Sequence, residues 1–326
     1  MLVAAYSNIT VIHFILLCVK NRSVYIERNG NSITVDNGAA WVINTPIEES
    51  IKNKIQAVGI PLSEWDININ FGIKTGFNGA FIIPTTVKDE LIRADSKSAE
   101  IIRPILRGRD IQRYAYSFAD LWLISTFPSR QYNIDDFPAI KKHLLSFGIE
   151  RLEQTGEQHS IGGKIIKARK KTNNKWFETQ DSISYWNDFF KQKIVWGEIS
   201  DKPKFAIDID GKFTPEATTF MMTGKHLKYL LCFLNSTLSE YYFAKIGTTT
   251  GMGTLRWKKY LIETLPVPKV ETQMASTLEG LLDSMLTNFD NAEYYIAQIN
   301  KAIYGIFNFN DEEIDFIENM VKIGAH

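Results

Sequence analysis

FGIKTGFNGAFIIP at residues 71–84 and IIRPILRGRDIQRY at 101–114, joined by a short helical segment, decide how the rest of this chain is read. The first stretch predicts two strands, marked by Ile73 and by Ala80 to Ile83, with a polar turn between them. Gly76 and Gly79 permit positive φ in that turn, which places Lys74, Thr75 and Asn78 at a loop tip held by two strands. A bland hairpin with a solvated turn accounts for the same residues. The second stretch is an apolar run that ends in Arg103, Arg107, Arg109 and Arg113 around Gly108. Arginine pairs bidentately with phosphate or with guanine. Asp110 offers Arg107 or Arg109 a structural ion pair instead.

Working outward, 326 residues suffice for about two domains. Lys+Arg and Asp+Glu both total 37, so a polyanionic partner would have to meet a local patch. The hydrophobic share of 44% is ordinary for a globular protein, and aromatics reach 12%. Cys18 and Cys232 lie inside apolar runs, which suits buried thiols in a reducing cytoplasm. Val11–Val19 is the most apolar run, about half of what a membrane span needs, so no membrane anchor is expected.

Residues 9–43 predict strands, with a hairpin signal at Asn29-Gly30-Asn31. A chain that opens in a buried strand suggests the end of a larger domain. Thr45-Pro46-Ile47-Glu48 then forms a capping box that starts a helix bearing Ile47, Ile51, Ile55 and Val58 on one face. Helices are expected at 86–94, 98–106 (broken at Pro104), 138–152 and 225–244, and strands at 121–127 and 193–200. FAIDIDGKFT (205–214) predicts a hairpin about Asp210-Gly211. A long helix over 271–304, striped by Leu278, Leu282, Met285, Ile299 and Ile303, precedes a short one capped by Asn310.

Enzyme signatures are absent. The five histidines lack metal-ligand spacing, and no Walker phosphate loop or dinucleotide fingerprint occurs. Asp208, Asp210 and Lys212 faintly suggest a nuclease, although a solvated strand face explains them as well. The positive signals are basic. Gly162-Gly163 opens a segment carrying Lys164, Lys167, Arg169, Lys170, Lys171 and Lys175 with no acid, and Trp176-Phe177 closes it. Cations beside aromatics on a flexible segment suit phosphate contact and base stacking, and a solvated loop is the alternative. Arg256, Lys258 and Lys259 make a further cluster after GTTTGMG (247–253), which contains Thr249.

FGIKTGFNGAFII, IIRPILRGRDIQRY, KIVWGEIS, LCFLNSTLSEYYF and GTTTGMGTLRWKKYLIETLPVP follow one another in the order seen in TaqI-like target-recognition domains. Over about residues 45–320 the chain resembles the C-terminal specificity region of adenine-N6 DNA methyltransferases and type IIG restriction-modification enzymes. It is also similar to half of a type I specificity subunit. The resemblance implies an α+β fold: a mixed, largely antiparallel β-rich recognition domain with peripheral helices, then a long C-terminal helix and a short helical end. It implies three parts, namely the last strands of a methyltransferase sheet (1–45), the recognition domain (46–268) and the terminal helices (269–326). Double-stranded DNA is the implied partner, together with a methyltransferase domain that would hold S-adenosylmethionine. No cofactor is expected in this chain, which lacks the Asn-Pro-Pro-Tyr motif and any pair of adjacent prolines. By the same resemblance Lys74, Thr75 and Asn78 lie near the DNA or the methyltransferase cleft, and the 164–175 segment makes backbone contacts. Two other readings stay open: a nuclease on Asp208, Asp210 and Lys212, and an assembly module built on the 271–304 helix.

Overall fold

The computed structural model describes residues 45–246 and 255–324. The strands expected over 9–43, Cys18, and the 247–253 loop with Thr249 lie outside the described residues. Helix α1 (Pro46–Val58) starts at the expected capping box, where the Thr45 hydroxyl accepts from the Glu48 amide and Glu48 accepts from the Thr45 amide. Ile51 and Ile55 face inward, and Val58 is exposed. Strands β1 (Gly59–Pro61) and β2 (Ile67–Phe71) follow, then a helical turn α2 (Asn78–Phe81), strand β3 (Ile82–Pro84), helix α3 (Thr85–Ala94) and strands β4 (Ile102–Leu106) and β5 (Leu121–Ile124). Next come α4 (Pro138–Leu145), α5 (Ile149–Leu152) and a ribbon of β6 (Gln158–Ile161) and β7 (Lys164–Lys167). Then follow β8 (Lys193–Gly197), β9 (Ile199–Ser200), β10 (Phe205–Asp208), β11 (Thr214–Pro215) and β12 (Thr219–Gly224). Helices α6 (Leu227–Leu234) and α7 (Thr237–Ile246), strand β13 (Leu255–Arg256), turn α8 (Lys259–Ile262), strand β14 (Pro266–Pro268) and helices α9 (Thr272–Thr287), α10 (Ala292–Ile306) and α11 (Asp311–Gly324) complete the chain.

An antiparallel sheet in the order β10-β8-β12-β2 divides two cores. Side chains alternate across a strand, so one face carries Ile194 and Trp196 of β8, Phe205 and Ile207 of β10, and Phe220 and Met222 of β12. These pack with α1, α6, α7 and the terminal helices. The opposite face offers Val195, Ala206 and Met221 to a core shared with the second sheet, ordered β11-β4-β5-β3. In that sheet β11 runs parallel to β4, and the other pairs are antiparallel. The fold is therefore α+β with largely antiparallel sheets and a helical C-terminal part, as the sequence implies.

Several local expectations change. FGIKTGFNGAFIIP is a crossover between sheets, since β2 pairs with β12 and β3 pairs with β5. Here Gly76 has φ +76, whereas Gly79 lies in the α2 turn. Residues 102–106 form a strand, not a helix, as their isoleucines and Pro104 favour. The helices expected over 138–152 and 225–244 each divide in two, the latter at Asn235, whose side chain pairs with both backbone groups of Phe205. The terminal helical segment turns at Asn288–Asn291, so α9 and α10 pack together. FAIDIDGKFT is not a hairpin either, because β10 pairs with β8 while β11 crosses to β4.

Candidate nucleic-acid interface

The basic segment is not a loose loop. Its first part is an antiparallel ribbon in which Gln158 faces Lys167, His159 faces Ile166, Ser160 faces Ile165 and Ile161 faces Lys164. Gly162 and Gly163 turn the ribbon with φ of +57 and +76, the type I′ geometry that matches strand twist. A Cβ on either glycine would meet nothing within 4 Å, so the tip stands free of the body. Ile165 is 74% exposed. Lys164, Lys167, Lys170 and Lys171 are exposed and make no ion pair among the described residues. Lys175 is also exposed, its ammonium 5.6 Å from the Phe177 ring.

Arg169 departs from the expected role. Its side chain is 1% exposed, and its guanidinium donates to four backbone carbonyls. Nε reaches Leu152 at 2.7 Å, Nη1 reaches Thr75 at 2.8 Å and Glu178 at 2.7 Å, and Nη2 reaches Trp176 at 2.6 Å. Burial, aided by the nearby Arg151 charge, pushes its pKa down to about 10, so it keeps its proton at neutral pH. Arg169 anchors the root of the ribbon to the crossover at Thr75 and does not face solvent. Arg151 adds a bond to the Lys167 carbonyl.

Thr75 is fully buried, donating its hydroxyl to Asn78 Oδ1 at 2.7 Å, which makes it a structural residue and not a loop-tip contact. Asn78 is exposed but donates to the buried Glu216 at 3.3 Å. Lys74 alone of the three is exposed with no side-chain hydrogen bond or ion pair among the described residues. Glu216 is the residue that sequence reasoning passed over here. It also accepts from the Thr218 hydroxyl at 2.7 Å, and its charge bears on Arg107.

Arg107 is committed to Asp110 through Nε at 2.9 Å and Nη2 at 2.7 Å. Burial would raise the Asp110 pKa, but the bonds from Arg107 outweigh it and hold the carboxyl below its usual value. Arg109 is exposed, and no hydrogen bond or ion pair ties it among the described residues. The turn carrying both arginines lies against β8: a Cβ on Gly197 would stand 3.3 Å from Gly108 Cα, so both positions need to be small. Arg256 pairs with Glu198 at 3.3 Å, and Lys258 beside it is half-buried with no side-chain partner among the described residues. Arg103 stacks over Phe190 and Arg113 donates to the Asn235 carbonyl, so neither belongs to a free patch.

Two groups of candidates therefore emerge. One is the ribbon with Lys164 and Lys167, continued by Lys170, Lys171 and Lys175. The other gathers Asn78, Arg107, Arg109 and Arg256 around Glu216, Glu198 and the Gly108–Gly197 approach. Arg169 links the first to the crossover from which Asn78 reaches the second. The free face of the ribbon was missed in the sequence, although Gly162-Gly163 between two four-residue runs is a hairpin signal.

The acidic candidates have a structural explanation. Asp208 pairs with Lys193 at 2.6 Å, with both side chains at most 1% exposed. It also accepts from the amides of Lys212 and Phe213. Asp208 is thus neither on a solvated face nor open to a substrate, and Asp210 is exposed beyond the strand end. The stripe of α9 and α10 is likewise occupied, since Leu278, Leu282, Met285, Ile299 and Ile303 are fully buried in the first core. No helix among the described residues is long and apolar enough to cross a membrane.

Residues 103–267 match the TaqI-like C-terminal specificity domain family. Among solved structures, the type IIL restriction-modification enzyme MmeI in complex with DNA is similar over 81% of this chain and 36% of its own, at 13% identity and a TM-score of 0.55. The type IIG restriction endonuclease BpuSI matches over 80% of this chain and 32% of its own, at 13% identity and a TM-score of 0.46. The chain thus spans about a third of the length of either. No curated protein sequence matches it.

Proposed function

The chain belongs to the TaqI-like C-terminal specificity domain family, and from that membership we propose that it recognises a double-stranded DNA sequence on behalf of a restriction-modification enzyme. The observation that carries this reading is the free-standing ribbon and its exit. Lys164, Lys167, Lys170 and Lys171 are solvent-exposed there with no ion-pair partners among the described residues, on a chain whose charges balance overall. Unpaired lysines on a projecting element attract phosphate oxygens, and each one that displaces a condensed counterion strengthens binding at low salt. Arg109, Lys74 and Lys258 would add contacts at the crossover side.

The chemistry would belong to a partner. An adenine-N6 methyltransferase domain, holding S-adenosylmethionine, would flip its target base, and this chain would supply the address. Nothing in the candidate interface has the geometry of a nucleophile with its base, and Asp208 is spent on Lys193. The setting would be the cytoplasm of a bacterial cell, where such enzymes act in defence against foreign DNA.

Fluorescence anisotropy of the chain with a random duplex, titrated at several salt concentrations, tests this. Binding should weaken linearly in log–log form, with a slope of about −0.9 for each phosphate contact. Replacing Lys164, Lys170 and Lys171 by Ala should make the slope shallower by about 2–3. Binding that is absent at low salt, or indifferent to salt, would reject the reading.

A further inference from the structure

We infer that the solvent-facing side of the β6–β7 ribbon is a base-reading surface, with Gln158, Ser160, Ile165 and Lys167 as specificity-determining side chains in the DNA major groove. This deepens the DNA-recognition reading and rests on it. Opposite residues of an antiparallel pair share a face, and successive residues alternate between faces. Gln158 with Lys167 and Ser160 with Ile165 therefore lie on one face, and His159 with Ile166 and Ile161 with Lys164 on the other. The two faces differ in their surroundings. All four residues of the first are exposed, and none of their side chains makes a hydrogen bond or ion pair among the described residues. On the second face Ile161 and Lys164 near the tip are exposed, but His159 and Ile166 nearer the root are half-buried, with His159 Nε2 shielded from solvent, so that face leans on the body at its root.

An isoleucine 74% exposed beside a free glycine turn has no packing reason in the described structure. Beside it stand an amide, a hydroxyl and an ammonium. This set matches what major-groove edges present: glutamine fits the N6 and N7 of adenine, lysine fits the O6 and N7 of guanine, serine fits several edges, and an aliphatic side chain covers the thymine methyl. The dimensions also agree. A major groove about 12 Å wide admits a two-stranded ribbon. The two cross-strand pairs are separated by two residues, about 7 Å along the strand, or two base-pair rises of about 3.4 Å. One face would thus read within about three consecutive base pairs. Glycines at the tip leave the leading edge without side chains, which favours a ribbon lying along the groove over a wedge driven between bases. Arg169 supplies the rigidity, because its four carbonyl bonds fix the ribbon root to the crossover.

The test is selection of duplexes from a random pool by the full chain and by its Gln158→Ala, Ile165→Ala and Lys170→Ala variants. These side chains are exposed and make no hydrogen bond or ion pair among the described residues, so the variants should melt with the wild type. The wild type should enrich a motif containing adenine and thymine within three base pairs. Gln158→Ala should lose roughly tenfold of the preference for that adenine. Replacing the motif's thymine by uracil should weaken the wild type and leave Ile165→Ala unaffected. Lys170→Ala should weaken all duplexes alike, without changing the motif. Identical motifs from wild type, Gln158→Ala and Ile165→Ala would overturn the inference while leaving DNA recognition intact. Salt-dependent binding by a wild type that enriches no motif would overturn this inference and sequence recognition together, leaving non-specific DNA binding alone. Absence of any wild-type binding would instead overturn the DNA-recognition reading, and this inference with it.

Discussion

Arg169 shows how far a residue's type and neighbours can mislead. In sequence it sits among five lysines and reads as one more phosphate contact. Its side chain instead turns inward and satisfies four backbone carbonyls from three separate segments. A guanidinium can do this because its donors are fixed in a planar fork, whereas an ammonium is a compact point charge with three. Arg169→Lys should therefore destabilise the protein by about 2–3 kcal/mol in urea unfolding, from buried carbonyls left without partners. The salt slope of DNA binding should be unchanged in the folded variant. Wild-type stability combined with a shallower slope would make Arg169 a phosphate ligand after all. Asp208 teaches the same lesson with opposite sign, since a carboxylate beside a turn proves to be half of a buried ion pair with Lys193. In both cases partners distant in sequence settle the role.

At the level of elements, the capping signals were legible because they are local. Thr45 with Glu48, and Asn310 with Glu313, each form the reciprocal bonds that open α1 and α11. Less legible was that the second box also grips the first helix: Glu313 accepts from Ser50 at 2.7 Å and from Lys54 at 2.6 Å. Burial would raise the Glu313 pKa, but these bonds and the Asn310 amide outweigh it and hold the carboxyl below its ordinary 4.5. A carboxyl depressed in the folded state binds fewer protons there than when unfolded. Its contribution is therefore complete above pH 4.5 and is lost as pH falls through the folded value. Glu313→Gln should cost about 1–2 kcal/mol at neutral pH, and the difference from wild type should shrink as melting is repeated towards pH 3. A difference that does not vary with pH would show that the charge is immaterial. The ribbon is the converse case. In sequence Gly162-Gly163 reads only as the start of a flexible segment, and the register alone shows which four side chains share the open face.

At the scale of the whole molecule, one sheet serves two cores, and the terminal helices close the first. Leu278, Leu282, Met285, Ile299, Ile303 and Ile317 join Ile194, Trp196 and Phe220 in a single cluster. Burying each such side chain contributes roughly 1.5–3 kcal/mol, a large sum against a net stability of about 5–15 kcal/mol. Truncation after Pro268 should consequently abolish the cooperative melt and expose surface that binds a hydrophobic dye. A truncated chain that still melts cooperatively would show that these helices fold as a separate unit.

The sequence by itself determined the α+β class, the family, several strands and helix starts, and the presence of a local run of basic residues. Each of these depends on residues near one another in the chain: alternation, capping boxes, glycine turns and an ordered series of motifs. The tertiary structure alone decided that FGIKTGFNGAFIIP joins two sheets instead of closing a hairpin. It alone separated Arg169, Thr75 and Asp208, which hold the fold together, from Lys164, Lys167 and Ile165, which face solvent. The reason is that burial and hydrogen-bond satisfaction depend on which distant segments come together, and no local pattern encodes that.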